Sequence, residues 1–325
     1  LTDPDNRNEE NIVDIAIMLE GQNGLNWPRW QRIAQEVERL GFAGLYRSDH
    51  FTNPQPPDLD SLELWVSLTW LASHTERIEF GPLVAPVSFR NPIIMARMAS
   101  AIDDLSGGRL FLGMGAGWQE REHNNFGFEL GDVPQRFKRF TEALEVTARL
   151  LHSDTPVAFS GEFYQLHDAI LLPRPARPGG PRLVIGGNGE RRTLPLAAQY
   201  ASEWNAVFLP PAKFSELSAR LDALLEERGR APDEVRRTMM TGLAFGRDQT
   251  ELEQVLNGRD AEDSQARGMI VGTPDQVVAQ LTTLAEAGVQ RVMLQWMALD
   301  DLDRLAAFAE AVLPQFPAQL PSAAR

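Results

Sequence analysis

Ser48-Asp49-His50, at the end of the short apolar run 44–47, holds the side chains of this sequence best suited to moving a proton. A histidine changes charge near neutral pH, and a carboxylate beside it can hold the imidazole in one orientation. In a β/α protein the carboxyl end of a strand is where side chains meet a ligand. His50 is therefore the candidate proton donor and acceptor, with Asp49 as its orienting partner. The same trio would also suit an ordinary strand-to-loop exit, where short polar side chains satisfy backbone groups.

Three further stretches have the composition of ligand contacts. The run 105–118 opens with Ser106-Gly107-Gly108-Arg109, a turn feeding a strand, and its exit is crowded by Gly113, Gly115 and Gly117. Lacking Cβ atoms, these glycines let a flat ligand approach the backbone; tight packing at a barrel corner is the alternative. The spacing is not the dinucleotide fingerprint, because Trp118 stands where the third glycine belongs. Gly186-Gly187-Asn188-Gly189-Glu190-Arg191-Arg192-Thr193 follows an apolar run and opens a helix, which makes its N–H groups a phosphate cradle to which Arg191 or Arg192 would add charge-assisted bonds. No P-loop ending follows. The run 81–92 contains Pro82, Pro86 and Pro92, stiffening a loop beneath a bound ring. Trp27 and Trp118 are candidate aromatic walls of a substrate pocket. Glu120, Glu122 and His123 lie close together but match no metal motif such as H-E-x-x-H, so a solvated charged loop and no metal site are expected. Serine hydrolase chemistry lacks its G-x-S-x-G elbow.

What must position these residues is a repeating β/α rhythm. Residues 13–19, 43–47, 78–84 and 109–113 read as strands, with helices over 28–40, 59–73 and 92–105. Helix 135–151, strand 182–185, helix 191–200, strand 203–208 and helix 213–227 continue the pattern. Strand 237–245, helix 273–287, strand 291–296 and helix 301–312 complete it. Eight strands separated by helices predict a single (β/α)8 TIM barrel over 1–325. Two stretches interrupt the count: an insertion at about 152–181, hairpin-like around Ser160-Gly161 and then proline-rich, and an acidic one at about 246–270, expected to be a mobile excursion.

Composition excludes several classes. Lysine and arginine number 31 against 45 acidic residues, a net charge of -14 that opposes docking on nucleic acid or anionic lipid. With no cysteine, disulfides, thiolate metal sites, iron–sulfur clusters and a cysteine nucleophile are ruled out, in keeping with a reducing cytoplasm. Residues 1–11 are polar, lack the features of a signal peptide, and are expected to be disordered or extended. No apolar run approaches the roughly 20 residues of a membrane helix. A cytoplasmic protein acting on a small molecule is the expectation.

Taken together, the motifs resemble the luciferase-like monooxygenase superfamily, specifically its branch of oxidoreductases using the 8-hydroxy-5-deazaflavin coenzyme F-420. The resemblance spans about 13–312 and rests on four ordered features: Ser48-Asp49-His50-Phe51, the loop 81–92, the run 105–118, and 186–193. It implies a bacterial-luciferase-like barrel with a flavin or deazaflavin across its carboxyl face. Asp49 and His50 match the polar pair beside the ring. Pro82, Leu83 and Val84 fall where the family supports the ring, with a non-proline cis peptide matched to Pro82–Leu83. Gly115 and Gly117 fall at the fourth strand's exit, and Gly186, Gly187, Asn188 and Gly189, with Arg192, on the phosphate side. Relatives that oxidise a sugar phosphate carry an acidic residue where this chain has Trp118, which argues against glucose-6-phosphate. The implied activity is hydride transfer between F-420 and an organic substrate, with His50, held by Asp49, giving or taking a proton. An FMN-dependent monooxygenase and a non-catalytic flavin-binding barrel are the alternatives. Within such a family a homodimer through the early helices is expected.

Overall fold

Asp14–Leu19 is buried at every position, as a strand covered on both faces must be. It is β1 of a computed structural model that describes residues 13–316; the segment 1–11 read above lies outside the described residues. The other strands are β2 (Gly44–Arg47), β3 (Glu79–Pro82), β4 (Ala85–Pro86), β5 (Phe111–Gly115), β6 (Val157–Ser160), β7 (Gln165–Ala169), β8 (Arg182–Gly186), β9 (Glu203–Val207), β10 (Arg236–Phe245), β11 (Ile270–Gly272) and β12 (Arg291–Gln295). The main sheet runs β3-β2-β1-β12-β10-β9-β8-β5-β4, with every pairing parallel. β3 and β4 are two pieces of one strand around Leu83 and Val84, so the ring closes as an eight-position barrel. β6 and β7 form a separate antiparallel hairpin in the first insertion.

Helices α1 (Trp27–Leu40), α2 (Leu64–His74), α3 (Pro92–Leu105), α4 (Glu120–Phe126), α5 (Val133–His152), α6 (Thr193–Tyr200), α7 (Pro211–Glu226), α8 (Gln249–Leu256), α9 (Ala261–Ala266), α10 (Pro274–Glu286) and α11 (Leu302–Val312) connect the strands. Their starts follow from local chemistry. Asn26 accepts a hydrogen bond from the Arg29 amide (3.2 Å) and Asp132 one from Gln135 (2.8 Å), each before a proline in the first turn. The helix expected from 59 begins at Leu64, because Glu63 caps it through the Val66 amide. Among the described residues no helix is long and apolar enough to cross a membrane.

Two expectations need correction. The acidic stretch near 246–270 is not an irregular excursion: Asp248 and Asp260 cap α8 and α9, Leu252 and Leu256 pack on Ala244 and Val271, and β11 pairs with the far end of β10. The charged loop expected at 120–123 is α4, whose Glu122 and His123 are each only 1% exposed.

Inside the barrel, Ala16, Met18, Tyr46, Phe111, Val184 and Met293 form an apolar layer. At the strand starts a buried polar layer closes the base. Arg291 donates to the Tyr46 hydroxyl (2.5 Å) and to Asp14 (3.3 Å) and pairs with Glu79, while Arg236 reaches Asp14 at 2.5 Å. Burial alone would lower the Arg291 pKa, but Tyr46, Glu79, Glu203 and Asp14 outweigh it and hold the guanidinium firmly charged.

Candidate active site

β2 ends in Arg47, which is buried and donates to Ser67 Oγ (2.7 Å), the Leu62 carbonyl (2.5 Å) and the Ser48 carbonyl (3.3 Å). Burial pushes its pKa down to about 10, so its worth here lies in tying residues 62–67 to the strand exit. Ser48 Oγ then accepts from the Gly21 amide (2.9 Å) and donates to Gln22 (2.8 Å), fixing the exits of β1 and β2 against each other. Past that clamp the chain presents Asp49 and His50.

The expected Asp49–His50 pair does not form. Asp49 faces Arg90, which also reaches Glu63 at 2.7 Å, so its carboxylate is committed to the loop before α3. Adjacent side chains on an extended exit point to opposite sides, which is why neighbours in sequence are not neighbours in space. Burial nonetheless raises the Asp49 pKa, with Arg90 and Arg47 opposing. His50 is held by Glu122 instead: His50 Nδ1 lies 2.8 Å from Glu122 Oε1, and Glu122 Oε2 accepts from the Phe51 amide at 2.9 Å.

α4 brings Glu122 there and is itself pinned. Gln119 Nε2 donates to the Thr52 carbonyl (2.9 Å), while His123 bonds the Gln119 carbonyl through Nδ1 (2.7 Å) and Ser88 Oγ through Nε2 (2.7 Å). The turn into α4 passes through Gly117 at φ +82°, a left-handed conformation that favours glycine. Burial acts to lower the His50 pKa. The hydrogen bond to Glu122 and the charges of Glu122, Glu20 and Asp49 more than reverse this, and the imidazole is raised above its ordinary value.

His50 opens onto a cavity of about 820 Å³ at the carboxyl ends of the strands. Leu83, Val84, Gly115, Ala116 and Gly186 form one wall, apolar and low in relief; Glu20, Gln22 and Gln295 stand on the side of β1 and β12. Glu20 accepts from Gln295 (2.6 Å) and Gln22 (3.0 Å). Trp118 stands at the rim, 59% exposed, edge-on to His50 with ring centroids 5.4 Å apart. A second cavity of about 460 Å³ lies against Gly189, Glu190, Arg191, Arg192 and Thr193, and Phe137 borders both.

Most of the residues singled out from the sequence converge here: His50, Leu83, Val84, Gly115, Gly117, Trp118, Gly186 and Gly187 line the large cavity, and Gly189 and Arg192 the outer one. Gly115 also serves packing, since a Cβ there would meet Val84 Cγ2 at 2.5 Å. Four of the residues singled out lie outside both cavities. Asp49 and Pro82 line neither cavity. Asn188 spends its amide on the Val207 backbone, donating to the carbonyl (2.7 Å) and accepting from N–H (2.9 Å), and so clamps the exits of β8 and β9. Trp27 begins α1 on the outside, edge-on to Trp70 at 6.4 Å. The non-proline cis peptide falls one bond later than matched, at Leu83–Val84. Among the described residues no group of three or more His, Cys, Asp or Glu could hold a metal ion.

Glu122, Gln119, Glu20 and Gln295 were not anticipated. The signal for Glu122 lay in Gly117 and Gly127 bracketing a short helix, with Gly127 as its left-handed C-cap.

The sequence model of luciferase-like monooxygenases matches residues 14–265. The chain belongs to that family. Among luciferase-like relatives, an F-420-dependent glucose-6-phosphate dehydrogenase of Amycolatopsis mediterranei (strain U-32) is 26% identical over 321 residues, covering 88% of this chain and 93% of the relative. The 4-hydroxyprotoasukamycin monooxygenase of Streptomyces nodosus subsp. asukaensis is 27% identical over 336 residues, covering 91% and 89%. An F-420-dependent secondary alcohol dehydrogenase, solved with an F-420–acetone adduct, superposes on the luciferase-like barrel with a TM-score of 0.81 at 19% identity, covering 94% of this chain and all of that one. The fold of the family is thereby matched over nearly the whole length.

Proposed function

We propose that the protein is an oxidoreductase that uses coenzyme F-420, with His50 exchanging a proton with an organic substrate. The observation that carries this reading is the His50–Glu122 pair opening beside the wall of Leu83, Val84 and Gly115. That wall offers a ring an apolar surface without projecting bulk, and the outer cavity offers arginines to an anionic chain, so the residues present fit the coenzyme. Bound there, a deazaflavin supplies the carbon that accepts or returns a hydride. The fit to relatives named as F-420-dependent supports the choice.

The protein's own part is to orient and to manage one proton. Leu83 and Val84 fix the position of a ring placed on that wall. His50 keeps Nδ1 on Glu122, which leaves Nε2 to give a proton to a substrate heteroatom, or to take one, as the hydride moves. The carboxylate stabilises the imidazolium form and fixes the ring's orientation, a pairing suited to a group that gains and loses charge each turnover. Trp118 supplies an apolar wall over the same imidazole.

His50→Gln should lower turnover by roughly 10²- to 10⁴-fold while leaving ring affinity within a few-fold; unchanged turnover would remove the proton-handling role. A second reading, FMN-dependent oxygenation, is favoured by the likeness to the 27% identical monooxygenase. Titration of the purified protein with each coenzyme separates the two, and saturable binding of FMN alone would overturn the F-420 assignment.

A further inference from the structure

Between His50 and Asp58 the chain is fastened to one short helix. α4 offers Glu122 to the Phe51 amide (2.9 Å) and Gln119 to the carbonyl and hydroxyl of Thr52 (2.9 and 3.2 Å). Arg121 donates to the Asn53 carbonyl (2.8 Å) and, through both Nη atoms, to the Asp58 carboxylate (2.6 and 2.7 Å). Among the described residues no backbone–backbone hydrogen bond uses an N–H or carbonyl of 53–58. The one further bond is long, from Asn53 Nδ2 to the Gln22 carbonyl at 3.4 Å. Anchors resume at Asp60, whose carbonyl accepts from the Gly24 amide (3.0 Å) and whose carboxylate accepts from Asn26 (3.0 Å). Pro54, Pro56 and Pro57 have no N–H to give and a fixed φ, so the segment is stiff yet lightly fastened. Asn53 and Pro54 line the large cavity.

Residues 53–58 thus make a flap at the cavity wall, and Arg121 is its latch. Pairs such as Arg39–Glu36 and Arg149–Glu145 brace a single helix, whereas Arg121–Asp58 joins segments 63 positions apart. Both side chains are partly exposed, and such a pair shifts a two-state equilibrium only a few-fold, enough to seat a flap and still release it. Arg121 lines neither cavity, but the next residue on α4 is Glu122, the partner of His50. We propose that Arg121 is a positioning residue that couples the seating of flap 53–58 at the cavity to the His50–Glu122 pair. With the flap seated, Arg121 and Glu122 hold α4 against both the flap and the strand exit. With the flap lifted, α4 loses Asn53 and Asp58, its hold on His50 loosens, and proton exchange waits until the cavity is covered again. The inference rests on the proton-handling reading of His50 and adds the condition under which that residue is ready.

The charged groups acting on His50 are Glu122 from α4, Glu20 beyond β1 and Asp49 from its own strand exit. Removing the positive charge of Arg121 would by itself favour the imidazolium and raise the His50 midpoint, whereas loosening Glu122 lowers it, so the two effects have opposite signs. The chain has no cysteine, and Gln55→Cys therefore places a single nitroxide label on the flap. In Arg121→Gln and in Asp58→Asn the mobile fraction of its EPR spectrum should rise about two- to fivefold, and Arg121→Lys should keep part of the wild-type immobility. The His50 midpoint, followed by NMR in the free protein, should fall in Arg121→Gln by up to about 0.7 on the pH scale, the logarithm of that fold-change. Circular-dichroism melting verifies that the variants fold. A loosened flap with a midpoint that stays or rises overturns the coupling, and unchanged label mobility overturns the latch. Neither measurement uses a coenzyme, so a protein that fails to bind F-420 overturns the coenzyme assignment and leaves this inference to be decided by the label and the midpoint.

Discussion

The charge state of His50 depends on which carboxylate faces it, and the two candidates have separate duties. Glu122 bonds the imidazole, whereas Asp49 belongs to Arg90 and Glu63. Glu122→Gln removes the largest influence raising the His50 pKa and leaves burial to lower it, so the His50 midpoint followed by NMR should move to lower pH. A folded-state pKa above the unfolded value adds stability that is complete below the unfolded value, about 6.5, and is lost as pH rises through the folded one. The Tm deficit of Glu122→Gln should accordingly be largest near pH 6 (about) and shrink toward pH 9 (about). Asp49→Asn should shift the midpoint much less; a larger shift there would return the orienting role to Asp49. Sequence placed His50 at a ligand-facing exit, where it lines the cavity, because its type and place at a strand end are local properties. It misassigned the partner because Glu122 lies 72 positions away, and nothing in one sequence reports that separation closing.

At the scale of elements, the apolar runs of β1, β5 and β8 and the capped starts of α1, α3 and α5 were legible, because strand burial and helix capping are written in neighbouring residues. α4 was not. Seven residues rich in charge show no apolar stripe, and the helix exists because Gln119, Glu122 and His123 find partners on other loops. Gly117 sets its entry angle. Gly117→Ala forces φ +82° on a residue with a Cβ, which would meet Ser88 Oγ at 3.0 Å and Leu130 at 3.3 Å. A loss of about 1–2 kcal/mol is expected in denaturant unfolding, with the His50 midpoint moving in the same direction as in Glu122→Gln. Reduced stability with an unmoved midpoint would show that α4 does not carry the pair.

Across the whole molecule the two ends of the barrel divide the work. The base is closed by Arg291 among Asp14, Glu79 and Tyr46, and the mouth holds the cavities. The alternation of elements made the barrel readable, but the base layer was not, since Asp14, Glu79 and Arg291 look like ordinary strand-boundary charges until the ring brings them together. Arg291→Met leaves those acids without their shared cation and should cost about 3–5 kcal/mol. Coenzyme affinity measured at saturating folded protein should stay unchanged. A loss below about 1 kcal/mol would mean that the base layer contributes little to stability.

The edge-on contact of Trp118 with His50 also has an optical consequence. A protonated imidazole accepts an electron from an excited indole far more readily than a neutral one, so Trp118 emission should brighten as pH rises through the His50 midpoint. The chain has seven tryptophans, and subtracting the spectrum of Trp118→Phe isolates this one. A pH-independent difference spectrum would show that the two rings do not stay in contact in solution. If they do, the protein carries its own luminescent indicator of the charge state of His50.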